Sequence, residues 1–458
     1  MKPHFAYLLL ALPLAACSLT PVLNKPVAPL AAQFPAPMAL DQQASAASRD
    51  WRQIFPDPRL QQLILTALAN NRDLRLAALN VQTVQAQYGI QAATQRPALE
   101  ATAGSSRQRA QTDGSNSAIS TTYTLGMGIT AFEIDLFGRS AALSEAAFAR
   151  YLASEQGQKT VQIALLAAVA DAYYGQLLAR EQLQLAEQTL ADWQHSLQLA
   201  RILHAANQSS GLELAQAEGQ VASAQADLQA RMRGLEQADN ALQLLLGTAM
   251  PPDLPPAPRL DALPRPLLSA GLPSELLMRR PDILQAEHNL QAANADIGAA
   301  RAAFFPRLSL TAALGYGSPQ LHDLFDGKRQ VWSFSPQLSM PIFNAGRLRA
   351  ELRLAELRKS SAVVEYERAI QTAFREVADC LAGRETYGRQ ISAQQQAVAS
   401  AAKRLDLSNL RYRAGLDGRL ELLDAQRQLY AAQQSLLDLR KSELSNTVAL
   451  YKALGGGA

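Results

Sequence analysis

Two cysteines and five histidines are the scarce reactive side chains of this 458-residue sequence, and their spacing limits the chemistry they can share. His4, His195, His204, His288 and His322 form no His-Glu-x-x-His helix face, and Cys17 and Cys380 are too far apart in sequence to read as a zinc pair. There is no Gly-x-Ser-x-Gly elbow and no Walker loop. Gly126-Met127-Gly128 falls in an alternating stretch and Gly455-Gly456-Gly457 in a tail, so neither opens a helix that would cradle a phosphate. An enzyme is disfavoured on these grounds, and no metal or dissociable cofactor is expected. Seven methionines and five histidines form no ladder for soft metal ions. With 43 basic against 40 acidic residues and no basic block, nucleic acid is also disfavoured as a partner.

The two cysteines read differently. The apolar run 5–16 follows a short basic start and is too short to span a bilayer, so 1–16 is expected to be a secretory signal. It closes with Leu14-Ala15-Ala16-Cys17, which resembles a bacterial lipobox: an aliphatic residue, two small residues and a cysteine that would carry lipid. Cys17 is the expected lipidation site, and Ser18 after it resembles the sorting pattern for the outer membrane. Prolines 21, 26, 29, 35 and 37 make 17–50 an extended tether behind that lipid. Cys380 sits among apolar neighbours in a helical run and reads as a buried thiol.

The remaining elements come twice. Leu212-Glu213-Leu214-Ala215-Gln216-Ala217-Glu218 matches Leu420-Glu421-Leu422-Leu423-Asp424-Ala425-Gln426 at an offset of 208, as Gly138-Arg139 matches Gly346-Arg347. Asn80-Val81-Gln82, Ala86, Gly89 and Pro97 match Asn289-Leu290-Gln291, Ala295, Gly298 and Pro306 at 209. Collinear matches with one slipped residue mean two copies of one structural unit.

Within each unit the hydrophobic period changes. Helices are expected over 73–95 and 282–304, each closed by a proline. Strands should follow. Leu308, Leu310, Ala312, Leu314 and Tyr316 alternate with small and polar residues, as do Trp332, Phe334, Leu338 and Met340, and Tyr123, Leu125, Met127, Ile129 and Ala131. Strands of about ten residues match the length that a tilted transmembrane strand needs. Four strands cannot close a membrane barrel, and lipid does not tolerate an open sheet edge. Several chains must therefore contribute to one barrel, eight strands from two copies or twelve from three.

After each pair of strands comes a long proline-free run, 140–207 and 347–414, that turns at a polar or glycine-bearing cluster and returns. Helices of that length with polar, alanine-rich faces suggest packing in the coiled-coil manner. From periodicity alone, a solid, non-conducting structural stalk and a hollow helical tube both remain open.

Trp51, Phe55, Asp57-Pro58, Leu63-Ile64 and Asn71, with Arg279-Arg280-Pro281-Asp282-Ile283, Glu133-Ile134-Asp135-Leu136-Phe137-Gly138-Arg139 and Leu423-Asp424-Ala425-Gln426-Arg427, resemble the outer-membrane efflux factor lipoproteins of the NodT type, relatives of TolC. The resemblance covers nearly the whole mature chain. It implies a mixed fold of α-helix and transmembrane β-strand: a trimeric, 12-stranded outer-membrane β-barrel with four strands per chain, continued by a long periplasmic α-helical barrel, with internal duplication. In that frame 51–96 holds the N-terminal helices of the first repeat, 97–138 the first β-hairpin and 139–249 the first helical hairpin. An equatorial segment spans 250–280. The second repeat has its helix at 281–305, its β-hairpin at 306–346 and its helical hairpin at 347–454, before a tail at 455–458.

The implied function is that of a passive exit duct for small compounds, drugs or other toxic organics. The implied partners are two further copies, outer-membrane lipid, a periplasmic adaptor and an inner-membrane pump of the resistance-nodulation-division type. Export of protein or of metal ions is the alternative within the same class. The resemblance also places the Asp of Leu-Asp-Ala-Gln-Arg, here Asp424, at a periplasmic constriction. Leu420 would form an apolar collar one turn before it, Arg427 would pair with a carboxylate, and Glu421 would add charge. Without the resemblance, Asp424 and Arg427 read equally as an ordinary surface pair three residues apart. The first repeat has Leu212, Gln216 and Gly219 at the matching positions, so it lacks both charges.

Overall fold

A computed structural model describes residues 18–26, 50–111, 117–264 and 279–456. The signal 1–16, Cys17, most of the tether, the tip 112–116 of the first β-hairpin, 265–278 of the equatorial segment and the last two residues lie outside the described residues. Two units are present. One contains 18–26, Asn80–Glu155 and Gln285–Arg368, and the other contains 50–79, Gln156–Leu284 and 369–456 among their described residues.

The elements run α1 (Trp51–Ile54), α2 (Pro58–Asn70), α3 (Arg72–Ala93), β1 (Leu99–Gln111), β2 (Ser117–Ile134), α4 (Arg139–Ala205) and α5 (Gly211–Leu246). The second copy follows as α6 (Pro281–Ala302), β3 (Arg307–Ser318), β4 (Gln330–Ser339), α7 (Arg347–Arg413) and α8 (Arg419–Ala453). Both α4 and α7 have 67 residues, about 100 Å of continuous helix at roughly 1.5 Å per residue. Neither contains a proline. The turn from α4 into α5 is capped by Ser210, whose side chain accepts from the Glu213 backbone N–H, and Gly247 ends α5 in the left-handed region.

In the first unit the four strands form one antiparallel sheet in the order β1-β2-β3-β4. Its register brings Leu125 opposite Tyr316, Met127 opposite Leu314, Leu314 opposite Trp332 and Ala312 opposite Phe334. One face is thus apolar and aromatic, and Trp332, Phe334 and Leu338 on it are exposed in the single chain. The other face carries Thr124, Gly126 and Gly128 of β2 and Thr311, Ala313 and Gly315 of β3, which line a concave groove of about 280 Å³.

Two strand expectations need correction. At 18 residues β2 is longer than about ten, and it holds its apolar face by a bulge between Ile129 and Phe132. Ala131 there has φ +50° and its N–H donates to Thr311 Oγ1 at 3.1 Å. Beyond the bulge it is Phe132 and Ile134, facing Leu310 and Leu308, that continue the apolar face, in place of Ala131. At the other end, β4 stops at Ser339 before Pro341, which has no N–H for a ladder.

Gly126 lies opposite Gly315 at the β2–β3 junction. A Cβ on Gly315 would collide with the Leu125 carbonyl oxygen, and one on Gly126 would stand 2.9 Å from that of Leu314. The missing side chains let the β2 and β3 backbones approach closely at this pair. Gly315→Val should therefore expose β2 and β3 to protease, with several-fold faster cleavage. Gly327→Val, where a Cβ meets nothing within 4 Å, should not. Equal cleavage of the two variants would contradict the need for glycine at this close approach.

In the second unit the core joins Leu60, Leu63 and Ile64 of α2 to Val169, Tyr173 and Leu177 of α4, Leu242 and Leu246 of α5, and Val448 and Tyr451 of α8. Tyr173 donates its buried hydroxyl to Asp57 at 2.7 Å, while Asp57 caps α2 through the Arg59 N–H. An 18-residue window of α4 is apolar enough for a membrane span, but half of it is buried in the chain and the helix supplies this core. A second cluster, Leu190, Trp193 and Leu197 of α4 with Ala217 and Val221 of α5, closes the first helical hairpin. Leu and Ala at heptad-like spacing build these seams without a thick core.

Candidate functional site

The chemistry-bearing residues singled out in the sequence come together around the turn between α7 and α8. Arg404 on α7 donates through Nη2 to Asp424 Oδ2 on α8 at 2.8 Å and lies 3.4 Å from Glu421 Oε2. Gln428, one turn after Asp424, donates to the same carboxylate oxygen at 3.0 Å and accepts from Arg404 Nη1, closing a ring of side chains. Arg427 stays 3.8 Å from Asp424 Oδ1, the long end of an ion pair. Leu420 presents an apolar side chain that is 60% exposed.

Asp424 is therefore held mainly by an arginine from the facing helix, with its sequence neighbour Arg427 at the periphery. Arg404, Arg427, Glu421 and Asp424 carry two charges of each sign, so the cluster is locally neutral. Sequence reasoning missed Arg404. The signal was present in the duplication: at the offset of 208 Arg404 matches Ser196 and Asp424 matches Gln216, so both members of the pair are charged in one repeat and uncharged in the other.

Two further contacts hold the turn. Arg411 makes a double contact with Asp417, Nη2 to Oδ1 at 2.7 Å, and this keeps the Asp417 carboxyl below its ordinary range. Because the folded-state value is depressed, the contact contributes at neutral pH and is lost only as acid takes the carboxyl through that lowered value. Arg419, in the first turn of α8, is 2% exposed and donates through Nη2 to the Ser196 carbonyl and hydroxyl oxygens of α4 at 3.0 and 3.1 Å. Farther along α8, Tyr430 donates its hydroxyl to Asp227 of α5, and burial together with that carboxylate pushes its pKa up to about 12.

Cys380 lies on α7 in the main core, where burial and then the nearby Asp379 and Glu376 push its thiol up to about 11. It is a packing residue, with negligible thiolate at neutral pH.

Residues 63–248 and 272–456, one span for each repeat, match the family model described as "Outer membrane efflux protein". The toluene efflux pump outer membrane protein TtgC of Pseudomonas putida is 47% identical over 451 residues, 97% of this chain and 93% of that protein. The antibiotic efflux pump outer membrane protein ArpC of Pseudomonas putida is similar to the same extent, with 47% identity and the same coverage of both chains. Among solved structures, the open state of the Neisseria gonorrhoeae MtrE outer membrane channel superposes with a TM-score of 0.88 at 39% identity, covering 96% of this chain and 98% of that one. A four-stranded sheet with one apolar face, two 67-residue helices and a duplicated architecture matching outer-membrane channels along almost their full length lead to one assignment. The chain belongs to the outer membrane efflux protein family.

Proposed function

We propose that three copies of this chain form the outer-membrane exit duct of a tripartite efflux pump for small organic compounds. A periplasmic adaptor would join the duct to an inner-membrane transporter, with the resistance-nodulation-division type as the fitting partner. The observation that carries this is the sheet: one apolar face, two open edges and four strands, which lipid accepts only when further copies close it. The substrate class follows the toluene and antibiotic pumps named for the relatives. A wide water-filled duct need not read its cargo, so selection is left to the transporter.

Cys17 is proposed to carry lipid, so that the chain is both anchored and spanning. In the same reading Leu420, Asp424, Glu421 and Arg427 form the periplasmic gate, with Arg404 setting the charge that Asp424 presents. Purified protein in a planar bilayer should give long-lived single-channel currents. It should also restore toluene and antibiotic tolerance to cells lacking their own outer-membrane channel, when supplied with its adaptor and transporter. Assembled protein that passes no ions would leave the structural-stalk alternative standing. Cys17→Ser should abolish fatty-acid labelling, and a labelled Cys17→Ser protein would remove the lipid assignment alone.

A further inference from the structure

The side chains of β1 divide by parity. The even positions carry Glu100, Thr102, Ser106 and Gln108, while the odd ones begin with Leu99, Ala101 and Ala103 and continue to Arg107 and Arg109. Register assigns the faces: Ala101 lies opposite Met127 and Ala103 opposite Leu125, both on the apolar face of the sheet. Glu100 and Thr102 line the groove on the other face. Arg107 and Arg109, opposite Thr121 and Ile119, therefore stand on the apolar face, although the polar face was open to them at the neighbouring positions.

Strand rise sets their level. On β3 the apolar side chains run from Leu308 to Tyr316, about 27 Å of strand at roughly 3.4 Å per residue, or about 21 Å of height at a tilt of about 40°. That is close to the apolar band of about 25 Å on an outer-membrane barrel. Tyr316 lies opposite Leu125, and Tyr123 lies opposite Ser105, so tyrosines close the band at the end remote from α3 and α4. Arg107 follows Ser105 by two residues and Arg109 by four, which places them about 5 and 10 Å farther out on the same geometry. The polar layer outside a hydrocarbon core is about 5–8 Å deep, within reach of both long side chains.

Both arginines are exposed, and neither has an ion-pair partner among the described residues. In the sequence between Thr102 and Phe132 the one acid is Asp113. Ile119, opposite Arg109, is 50% exposed and puts an apolar group beside the cations. We infer that Arg107 and Arg109 bind the phosphates of a glycolipid in the outer leaflet, with Ile119 against its apolar part. Guanidinium forks match phosphate oxygens two at a time, and side chains two residues apart on one strand face are about 7 Å apart, close enough to converge on one phosphate group. The inference rests on the outer-membrane reading above, but not on ion conduction.

The delipidated, detergent-purified trimer should bind bisphosphorylated lipid A in native mass spectrometry and should not bind the fully dephosphorylated lipid. Arg107→Gln with Arg109→Gln should weaken binding about tenfold. Adding Ser106→Arg and Gln108→Arg to that variant returns the net charge on the opposite face and should not restore binding. Arg107→Lys with Arg109→Lys keeps the charge without the fork and should weaken binding about threefold, which preserves the test if the glutamine variant does not assemble. Undiminished binding by either the glutamine or the lysine variant would overturn the site. So would recovery through Ser106→Arg and Gln108→Arg, or equally tight binding of the dephosphorylated lipid or of phosphatidylglycerol. A trimer that binds lipid A as expected but passes no current would fail the channel reading alone.

Discussion

Arg280→Ala should lower the thermal midpoint of the helical signal by about 3 °C, from a loss of about 3 kcal/mol. Arg280 is 5% exposed, and its guanidinium meets Asp282 through two contacts, Nε to Oδ1 at 3.0 Å and Nη2 to Oδ2 at 2.6 Å. Its Nη1 reaches Glu376 of α7 at 2.8 Å and the Ala453 carbonyl at the end of α8 at 2.8 Å. Burial alone would weaken the charge, and the two carboxylates more than offset it, so the guanidinium pKa is raised. One side chain thus fixes the start of α6 to both helices of the second hairpin. Truncation leaves Asp282 and Glu376 facing each other without a cation and the terminal carbonyl without its donor. Arg280→Lys should recover only part of the loss, because an ammonium cannot grip Asp282 with a planar fork. Arg279→Ala, at an exposed position, should stay within about 0.5 kcal/mol of the parent. Equal midpoints for the Arg279 and Arg280 variants, followed by circular dichroism in detergent, would refute the keystone role.

If Leu420 and Asp424 form the proposed periplasmic gate, Leu420→Ala with Asp424→Ala should raise single-channel conductance several-fold and lower cation selectivity, because the proposed apolar collar and carboxylate ring leave together. Arg404→Gln should move selectivity the other way. Asp424 and Glu421 would keep their charge while losing the cation 2.8 and 3.4 Å away, and three copies would present the freed carboxylates at one constriction. The pair is about two-fifths exposed, so its removal should scarcely change thermal stability. Opposite shifts in reversal potential under a salt gradient are the expected signature. Shifts of the same sign, with the trimer intact, would leave Arg404 as a surface residue and Asp424 without a charge-setting partner.

The sequence made the repeated elements legible because their signals are local. Alternation at Leu308 to Tyr316 and Trp332 to Phe334 survives any tertiary context, and proline-free runs after Arg139 and Arg347 can hardly be other than helix. What it hid depends on distance or phase. Arg404 and Asp424 are twenty positions apart and meet only because a turn folds α7 against α8. Arg419 could not be recognised as buried, since a cation in the first turn of a helix ordinarily faces water. The Asn80 and Asn289 segments match, yet α6 buries many of its residues and α3 none fully, a difference set by what packs against each helix and not by the residues within it.

The bulge in β2 gives that strand something like a reading frame. Up to Ile129 its lipid-type residues fall on odd numbers, and from Phe132 they fall on even ones, with Ala131 serving as the shift. Amino-acid exchanges at Thr130 or Ala131 keep the count and so preserve the message on both sides. Loss of a single residue there would remove the extra count and rejoin the two frames into one plain alternation, with Phe132 and Ile134 still opposite Leu310 and Leu308, so this is the one place in β2 where a deletion should be read without error.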